Sequence, residues 1–232
     1  MIYEGRVISI YSQFAEVMEK ATRKRYRCST KGSFKKIIRK QKSILAVGDI
    51  VSFELETDDT GVITTIHPRT SVLSRADHLN QQREQIIAAN VDVLLSVHSI
   101  SEPSINRRLI DRYIITAQKE QMDCIIVINK IDLCEDSDQL LEIQTLYQDL
   151  GYPVILTSVE QGIGIDILLR ELSDRIFVLS GQSGVGKSSL INALSDGKII
   201  LETGGINTKT HKGTHTTSRT TMLELNPDTW LI

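Results

Sequence analysis

VLSGQSGVGKSSLINAL, residues Val178 to Leu194, decides the fold of this 232-residue chain. A short apolar run ends in a glycine-rich turn, and a helix-forming segment follows at once. Gly181, Gly186, Lys187 and Ser188 match the pattern G-x-x-x-x-G-K-[ST], in which glycines let backbone N–H groups curl around phosphate oxygens. Lys187 is expected to reach the β- and γ-phosphates, and the Ser188 hydroxyl to sit on Mg²⁺. The expected phosphate-binding set is Gly181, Gln182, Ser183, Gly184, Val185, Gly186, Lys187, Ser188 and Ser189. A loop of this kind usually opens its domain, yet 177 residues precede Val178.

Those upstream residues supply the missing strands. VDVLLSVHSI (91–100) is a continuous apolar run, as a buried parallel strand requires. SINRRLIDRYIITAQKEQ places Ile105, Leu109, Tyr113 and Ala117 at fourfold spacing and predicts a helix. DCIIVINKID predicts a strand, SDQLLEIQTLYQDLG a helix closed by Gly151, PVILTS a strand, IDILLRELS a helix, and RIFVLS the strand that feeds the phosphate loop. Strand and helix in alternation predict an α/β domain with a mostly parallel sheet and right-handed crossovers.

Asn129-Lys130-Ile131-Asp132 ends one of these strands, where a ligand crevice belongs. The carboxylate of Asp132 can accept from guanine N1–H and from its exocyclic amine. Adenine lacks that donor pair and would leave the carboxylate desolvated without partners. Asn129 is expected at the base edge, the Lys130 stem over the ring, and the backbone near Ser158, in TSVE, at the guanine carbonyl. The base-reading segments thus come at 129 and 157, before the phosphate loop at 181. Most small GTPases have the opposite order, so the domain is circularly permuted. The strands still lie side by side, and only the connections have moved.

Residues 1–70 read differently. RVISIYSQFAEVM, RKRYRC, AVGDIVSFELE and TDDTGVITTIHP have strand composition broken by turns, about five strands in all. A small all-β barrel of the oligonucleotide-binding type (OB-fold) is expected there. Residues 71–90 form a connector, and residues 91–232 the α/β domain. The cysteines Cys28, Cys124 and Cys134 are scattered, which points to a reducing compartment. No apolar run approaches membrane-spanning length, so a soluble, monomeric, cytoplasmic protein without membrane contact is expected.

The net charge of −2 conceals an asymmetry. From Lys20 to Lys42 there are eleven Lys or Arg and no acid, against 16 basic and 29 acidic residues elsewhere. Tyr26 and Phe34 stand among these cations. Cations attract phosphates and aromatic faces stack bases. Arg23, Lys24, Arg25, Tyr26, Arg27, Lys31, Phe34, Lys35, Lys36, Arg39 and Lys40 are therefore the candidate RNA-binding residues. The complete lack of acids sets the segment apart from a merely soluble face, which mixes signs.

The permuted order, REQIIAANVDVLL before the first α/β strand, GQSGVGKSSLINAL, and KGTHTT (Lys212–Thr217) together resemble one family across nearly the whole chain. It is the circularly permuted, ribosome small subunit-dependent GTPases A. The resemblance implies an OB-fold barrel, a permuted GTPase domain using GTP/GDP and Mg²⁺, hydrolysis of GTP to GDP, and late maturation of the small (30S) ribosomal subunit through 16S rRNA. Thr216 or Thr217 resembles the switch threonine that completes Mg²⁺ coordination. His211 and His215, two without a nearby Cys, suit phosphate or RNA contact better than a metal. The family continues with an Asp-x-Pro-Gly motif and a small zinc domain. This chain stops at Ile232, where that motif would begin, so zinc is implied only in a domain it lacks and the GTPase domain is expected to be incomplete.

Two other readings stay open on the residues alone. An ATP-using P-loop enzyme requires Asp132 to be idle. An RNA-binding module whose nucleotide site does not turn over requires the intact Lys187 and Ser188 to be relics. No residue is an evident general base, and the catalytic residue is unknown.

Overall fold

The computed structural model describes residues 1–30, 45–76, 84–199 and 220–232. They fall into two compact units, one built mainly from the chain up to Val91 and the other mainly from Asp92 onward.

The first unit is a closed five-stranded barrel. Its strands are β1 (Ile2–Ile10), β2 (Ala15–Glu19), β3 (Arg25–Thr30), β4 (Ile50–Leu55) and β5 (Thr60–Ile66), in the order β1-β2-β3-β5-β4. Alternation drives closure: Ala15, Val17, Tyr26, Cys28, Val51, Phe53 and Ile63 point inward and their neighbours outward. The segment RVISIYSQFAEVM makes two strands, because the Tyr11 N–H donates to the Phe14 carbonyl (2.8 Å) and reverses the chain. The fully buried Asp49 accepts from Arg69 Nε at 2.7 Å and from the Ala46 N–H at 2.7 Å. A buried carboxylate is tolerated only with such pairing.

Where the sequence suggests a plain connector, β6 (Val72–Ala76) and β7 (Glu84–Ala89) pair as an antiparallel ladder. Their apolar runs are too short and irregular to announce themselves as strands. Residues 31–44, which hold six of the eleven cations between Lys20 and Lys42, lie outside the described residues.

The second unit is a six-stranded sheet of β8 (Val93–Ser99), β9 (Asp123–Asn129), β10 (Val154–Leu156), β11 (Ile176–Ser180), β12 (Leu223–Asn226) and β13 (Thr229–Leu231). The order is β10-β9-β8-β11-β13-β12, with β10, β9, β8, β11 and β13 mutually parallel. Among the described residues four helices connect them: α1 (Arg107–Lys119), α2 (Ser137–Asp149), α3 (Ile165–Glu171) and α4 (Lys187–Leu194). All seven residues of β8 are buried, as its apolar run predicts. Asn106 caps α1 and Asp136 caps α2, each side chain accepting from first-turn amides.

One stripe differs from expectation. The buried row of α1 is Ile110, Ile114 and Ala117, whereas Leu109 and Tyr113 are half-buried. A strict fourfold row drifts about 40° per step around a 3.6-residue helix, so the row from Ile105 reaches the interface only at Ala117. Among the described residues no helix is long and apolar enough to cross a membrane.

Candidate nucleotide-binding site

Strand β11 delivers the chain to the loop 181–186, and α4 begins at Lys187. Close packing dictates the loop's glycines. A Cβ on Gly181 would stand 2.2 Å from the Val97 carbonyl oxygen. Gly186 has φ +92°, and a Cβ there would stand 2.4 Å from Asn129 Nδ2. The first amides of α4 point out of its N-terminus, where helix geometry favours an anion. Lys187 folds back over the loop, its ammonium donating to the carbonyls of Gly181 (2.8 Å) and Gln182 (2.6 Å). Burial lowers its pKa from the usual lysine value. Gln182, Ser183 and Gly184 are exposed, Ser188 and Ser189 half-buried, and Val185 buried.

The base-reading segment meets this loop through Asn129. That residue is 2 % exposed at the end of β9. Its Nδ2 donates to the Val185 carbonyl (3.0 Å), and its Oδ1 accepts from the Thr157 hydroxyl (3.0 Å). Asn129 therefore braces three segments, where the sequence alone suggests a contact to the base edge. Lys130 has the left-handed backbone (φ 62°), and its ammonium donates to the Glu102 carbonyl at 2.6 Å. Ile131 opens a 3-10 turn and donates to the Thr157 carbonyl (3.2 Å).

Asp132 is exposed, and its carboxylate accepts from the Ser158 hydroxyl. The same hydroxyl accepts from the Gln161 N–H (3.2 Å). The Ser158 amide is engaged elsewhere, donating to the Ile163 carbonyl (3.1 Å). The Ser158 amide itself is thus committed, and its hydroxyl aims Asp132. Nothing in TSVE announces that role, because a short serine looks the same in either case.

Two buried groups nearby have no counterpart in the sequence reading. His98 is 2 % exposed, its Nε2 lies 2.7 Å from the Ser96 hydroxyl, and burial lowers its pKa to about 4. The Ser99 hydroxyl is buried with no partner among the described residues. Thr216, Thr217, His211 and His215 lie outside the described residues. Among the described residues no group of three His, Cys, Asp or Glu side chains is placed to hold a metal. Ser188, on the first turn of α4, is the described hydroxyl suited to a phosphate-bound Mg²⁺.

On the barrel, Arg23, Lys24, Arg25 and Arg27 are exposed. Arg25 lies 3.7 Å from Glu16, and Lys24 lies 3.3 Å from Asp59. Tyr26, expected among the RNA-binding residues, is instead 6 % exposed with its ring 5.4 Å from that of Phe53. Alternation along β3 turns Arg25 and Arg27 outward and Tyr26 inward, so its faces belong to the core. Tyr11 and Phe14 are half-exposed and stacked at 4.4 Å, with the Arg27 guanidinium 5.6 Å from the Phe14 ring centre. Two aromatics in a turn, YSQF, were the available signal. Lys31, Phe34, Lys35, Lys36, Arg39 and Lys40 lie outside the described residues.

A G-x-x-x-x-G-K-S loop braced against an NKID turn, on a sheet whose phosphate strand comes after its base-reading strand, defines a circularly permuted P-loop nucleotide-binding domain. Residues 66–232 match the RsgA GTPase family and residues 4–63 match the RsgA N-terminal domain. The chain belongs to the RsgA GTPase family. It is 38% identical over 191 residues to the "Small ribosomal subunit biogenesis GTPase RsgA" of Chlorobaculum parvum, covering 79% of this chain and 61% of that one. To the protein of the same name from Alkaliphilus metalliredigens it is 32% identical over 209 residues, covering 89% and 66%. The chain thus spans less than two thirds of the length of these relatives. The crystal structure of YjeQ from Thermotoga maritima superposes with TM-score 0.77 at 29% identity, covering all of this chain and 73% of that one. That of YloQ, described as a circularly permuted GTPase, superposes with TM-score 0.66 at 30% identity, covering 84% and 64%.

Proposed function

We propose that the protein represented by this chain binds GTP with Mg²⁺, hydrolyses it to GDP, and acts in late maturation of the small (30S) ribosomal subunit by binding 16S rRNA. The observation that carries the reading is the Asn129–Val185 bond, which joins the base-reading turn to the phosphate loop. Relatives named as small ribosomal subunit biogenesis GTPases support the biological role.

In this mechanism the loop amides from Gly181 to Ser189 and the Lys187 ammonium neutralise the β- and γ-phosphates. Lys187 exchanges its two carbonyl acceptors for phosphate oxygens, a charge-assisted and stronger pairing. Mg²⁺, when bound, supplies charge neutralisation across the phosphates. Ser188 is its ligand from the loop, and Thr216 or Thr217 the ligand from the switch segment. Asp132, aimed by Ser158, accepts both guanine donors, and the Lys130 stem lies along the ring. The amide following Ser158 in TSVE is the donor for the guanine carbonyl. Water displaces GDP from the γ-phosphorus, and the loop's contribution is positioning and charge stabilisation.

The barrel, residues 1–70, holds RNA through Arg23, Lys24, Arg25 and Arg27 with the basic segment that follows. Tyr11 and Phe14 replace Tyr26 as its stacking surface. Residues 91–232 form the GTPase domain. The protein acts as a monomer in the cytoplasm. Turnover of GTP by the full-length protein, with and without purified small subunits, tests the reading. Stimulation by the subunits is expected, and equal rates would overturn it. The oriented carboxylate of Asp132 favours this reading over an ATP-using enzyme.

A further inference from the structure

The acidic residues are as unevenly placed as the basic ones. From Ile131 to Leu169 the chain has eight Asp or Glu and no Lys, Arg or His. All eight are exposed. The same stretch contains six of the nine large apolar residues that stand exposed among those described, including Leu141, Leu146 and Leu150.

The fold gathers part of this set into one surface. Ile143 and Tyr147 are the buried face of α2. At about 100° per residue, Asp138, Glu142, Leu146, Asp149 and Leu150 fall within about 120° of one another on its outer side. Arg107 pairs with Glu142 at 3.0 Å, and the Tyr147 hydroxyl donates to Asp111 at 2.9 Å, so α1 lies alongside α2. The next turn of α1 brings Ile115, 62 % exposed, toward the end of α2, where Leu146 and Leu150 are 40 % and 61 % exposed. One turn further Gln118 donates to the Tyr152 hydroxyl (2.6 Å). Gln118 and Tyr152 also line a cleft of about 460 Å³ with Met122, Pro153, Glu171 and Arg175, the last paired with Asp123 at 2.7 Å.

An apolar surface bordered by acids along α2 is a docking surface rather than ordinary exposure. We propose that it receives a basic, amphipathic protein segment. The segment's apolar side chains pack on Ile115, Leu146 and Leu150, and its cations face Asp138, Asp149 and Glu171. Glu142 and Asp166 contribute less, being paired with Arg107 and Arg170. Arg112 and Lys119, three and four residues from Ile115, are exposed beside it on α1, so the acidic field stops at Ile115 and fixes which edge of the segment lies over α2. Nucleic acid is the wrong partner, because along α2 its phosphates would face Asp138 and Asp149. Within the function proposed above, the partner becomes a protein of the small subunit rather than its RNA, a step that rests on that reading, whereas the docking chemistry does not.

Fluorescence anisotropy tests it with three labelled probes at about 0.15 M salt. They are a Leu/Lys amphipathic helix of about 18 residues, a Ser/Lys peptide of equal charge, and a single-stranded RNA. The Leu/Lys peptide is expected to bind at least about tenfold tighter than the Ser/Lys peptide. Leu146→Ser with Leu150→Ser, and separately Asp138→Lys with Asp149→Lys, are expected to weaken it by at least about tenfold. Guanine-nucleotide affinity stays unchanged in both, whatever becomes of the GTPase reading. Equal affinity for the two peptides, wild-type affinity in the charge-reversed variant, or RNA binding that falls when Leu146 and Leu150 are replaced would each overturn the proposal.

Discussion

Asp132→Asn isolates the base-reading chemistry from everything else in the site. The Ser158 hydroxyl holds one carboxylate oxygen of Asp132, and the Gln161 amide holds that hydroxyl, so the side chain's direction is set before any base arrives. Asparagine keeps the shape and one acceptor but presents an N–H to a guanine donor. A charge-assisted bond contributes about 1.5–3 kcal/mol, and a donor left facing a donor costs about 1–3 kcal/mol. Together the loss is about 3–5 kcal/mol, or roughly a hundredfold to a few thousandfold in affinity. Xanthine carries a carbonyl where guanine has its amine, so the variant's N–H gains an acceptor and the preference should move from GDP to XDP. Competition of unlabelled GDP, XDP and ADP against a fluorescent guanine nucleotide measures this directly. Lys187→Ala serves as the contrast, since it should weaken all three alike. A variant that keeps its guanine preference, or loses all three nucleotides in equal measure, would refute the placement of the base beside Asp132.

Other consequences follow from the same geometry. Gly186→Ala places a methyl against the Asn129 side chain at a left-handed φ, so it should break the brace and weaken nucleotide binding by about tenfold or more, read by the same titration. Tyr26→Ala should cost about 3–5 kcal/mol of barrel stability, seen in denaturant unfolding, because it removes a core ring. Arg69→Met leaves the Asp49 carboxylate buried without its cation and should cost about 3–5 kcal/mol in the same assay. His98 has its folded pKa lowered to about 4 against a usual 6.5, so the unfolded chain binds the extra proton between those values. Stability should be fully present above pH 6.5, decline by about 3 kcal/mol as pH falls to about 4, and level off below. In His98→Gln that part of the slope should vanish, and an unaltered pH profile would place the titration elsewhere.

The parts of the molecule legible in its sequence are those where one local rule has no competitor. The seven-residue run of β8 is buried on every side, so its composition needs no partner to be read. The phosphate loop is legible because close approach leaves only glycine at Gly181 and Gly186. Tyr26 departs from the expectation because cations flank it along the chain, whereas a strand sorts neighbours onto opposite faces. The β6–β7 ladder was not legible because short paired strands draw their stability from each other. Asn129 and Ser158 show a further limit. Each has the residue type expected of a ligand-binding group, but the partners that use up its hydrogen bonds lie 56 and 26 residues away.

The same long-range bonds explain why a permuted chain can hold the site. Strand β8 lies between β9 and β11, with Ser99 opposite Asn129 on one side and Ser96 opposite Ser180 on the other. Parallel pairing therefore brings the base-reading turn and the phosphate loop to one edge of the sheet, whichever strand is made first. What chain order alone would not fix is their lateral fit, because each turn enters from its own strand. The Asn129 side chain supplies that fit by bonding Val185 within the loop and Thr157 beyond β10. Asn129→Ala should thus lower affinity for the phosphates as well as for the base, since the loop loses its brace. Asp132→Ala should leave inorganic pyrophosphate binding unchanged. Calorimetric titration with pyrophosphate separates the two. Equal pyrophosphate affinity in Asn129→Ala and the unaltered chain would remove Asn129 as the residue that locks the permuted halves together.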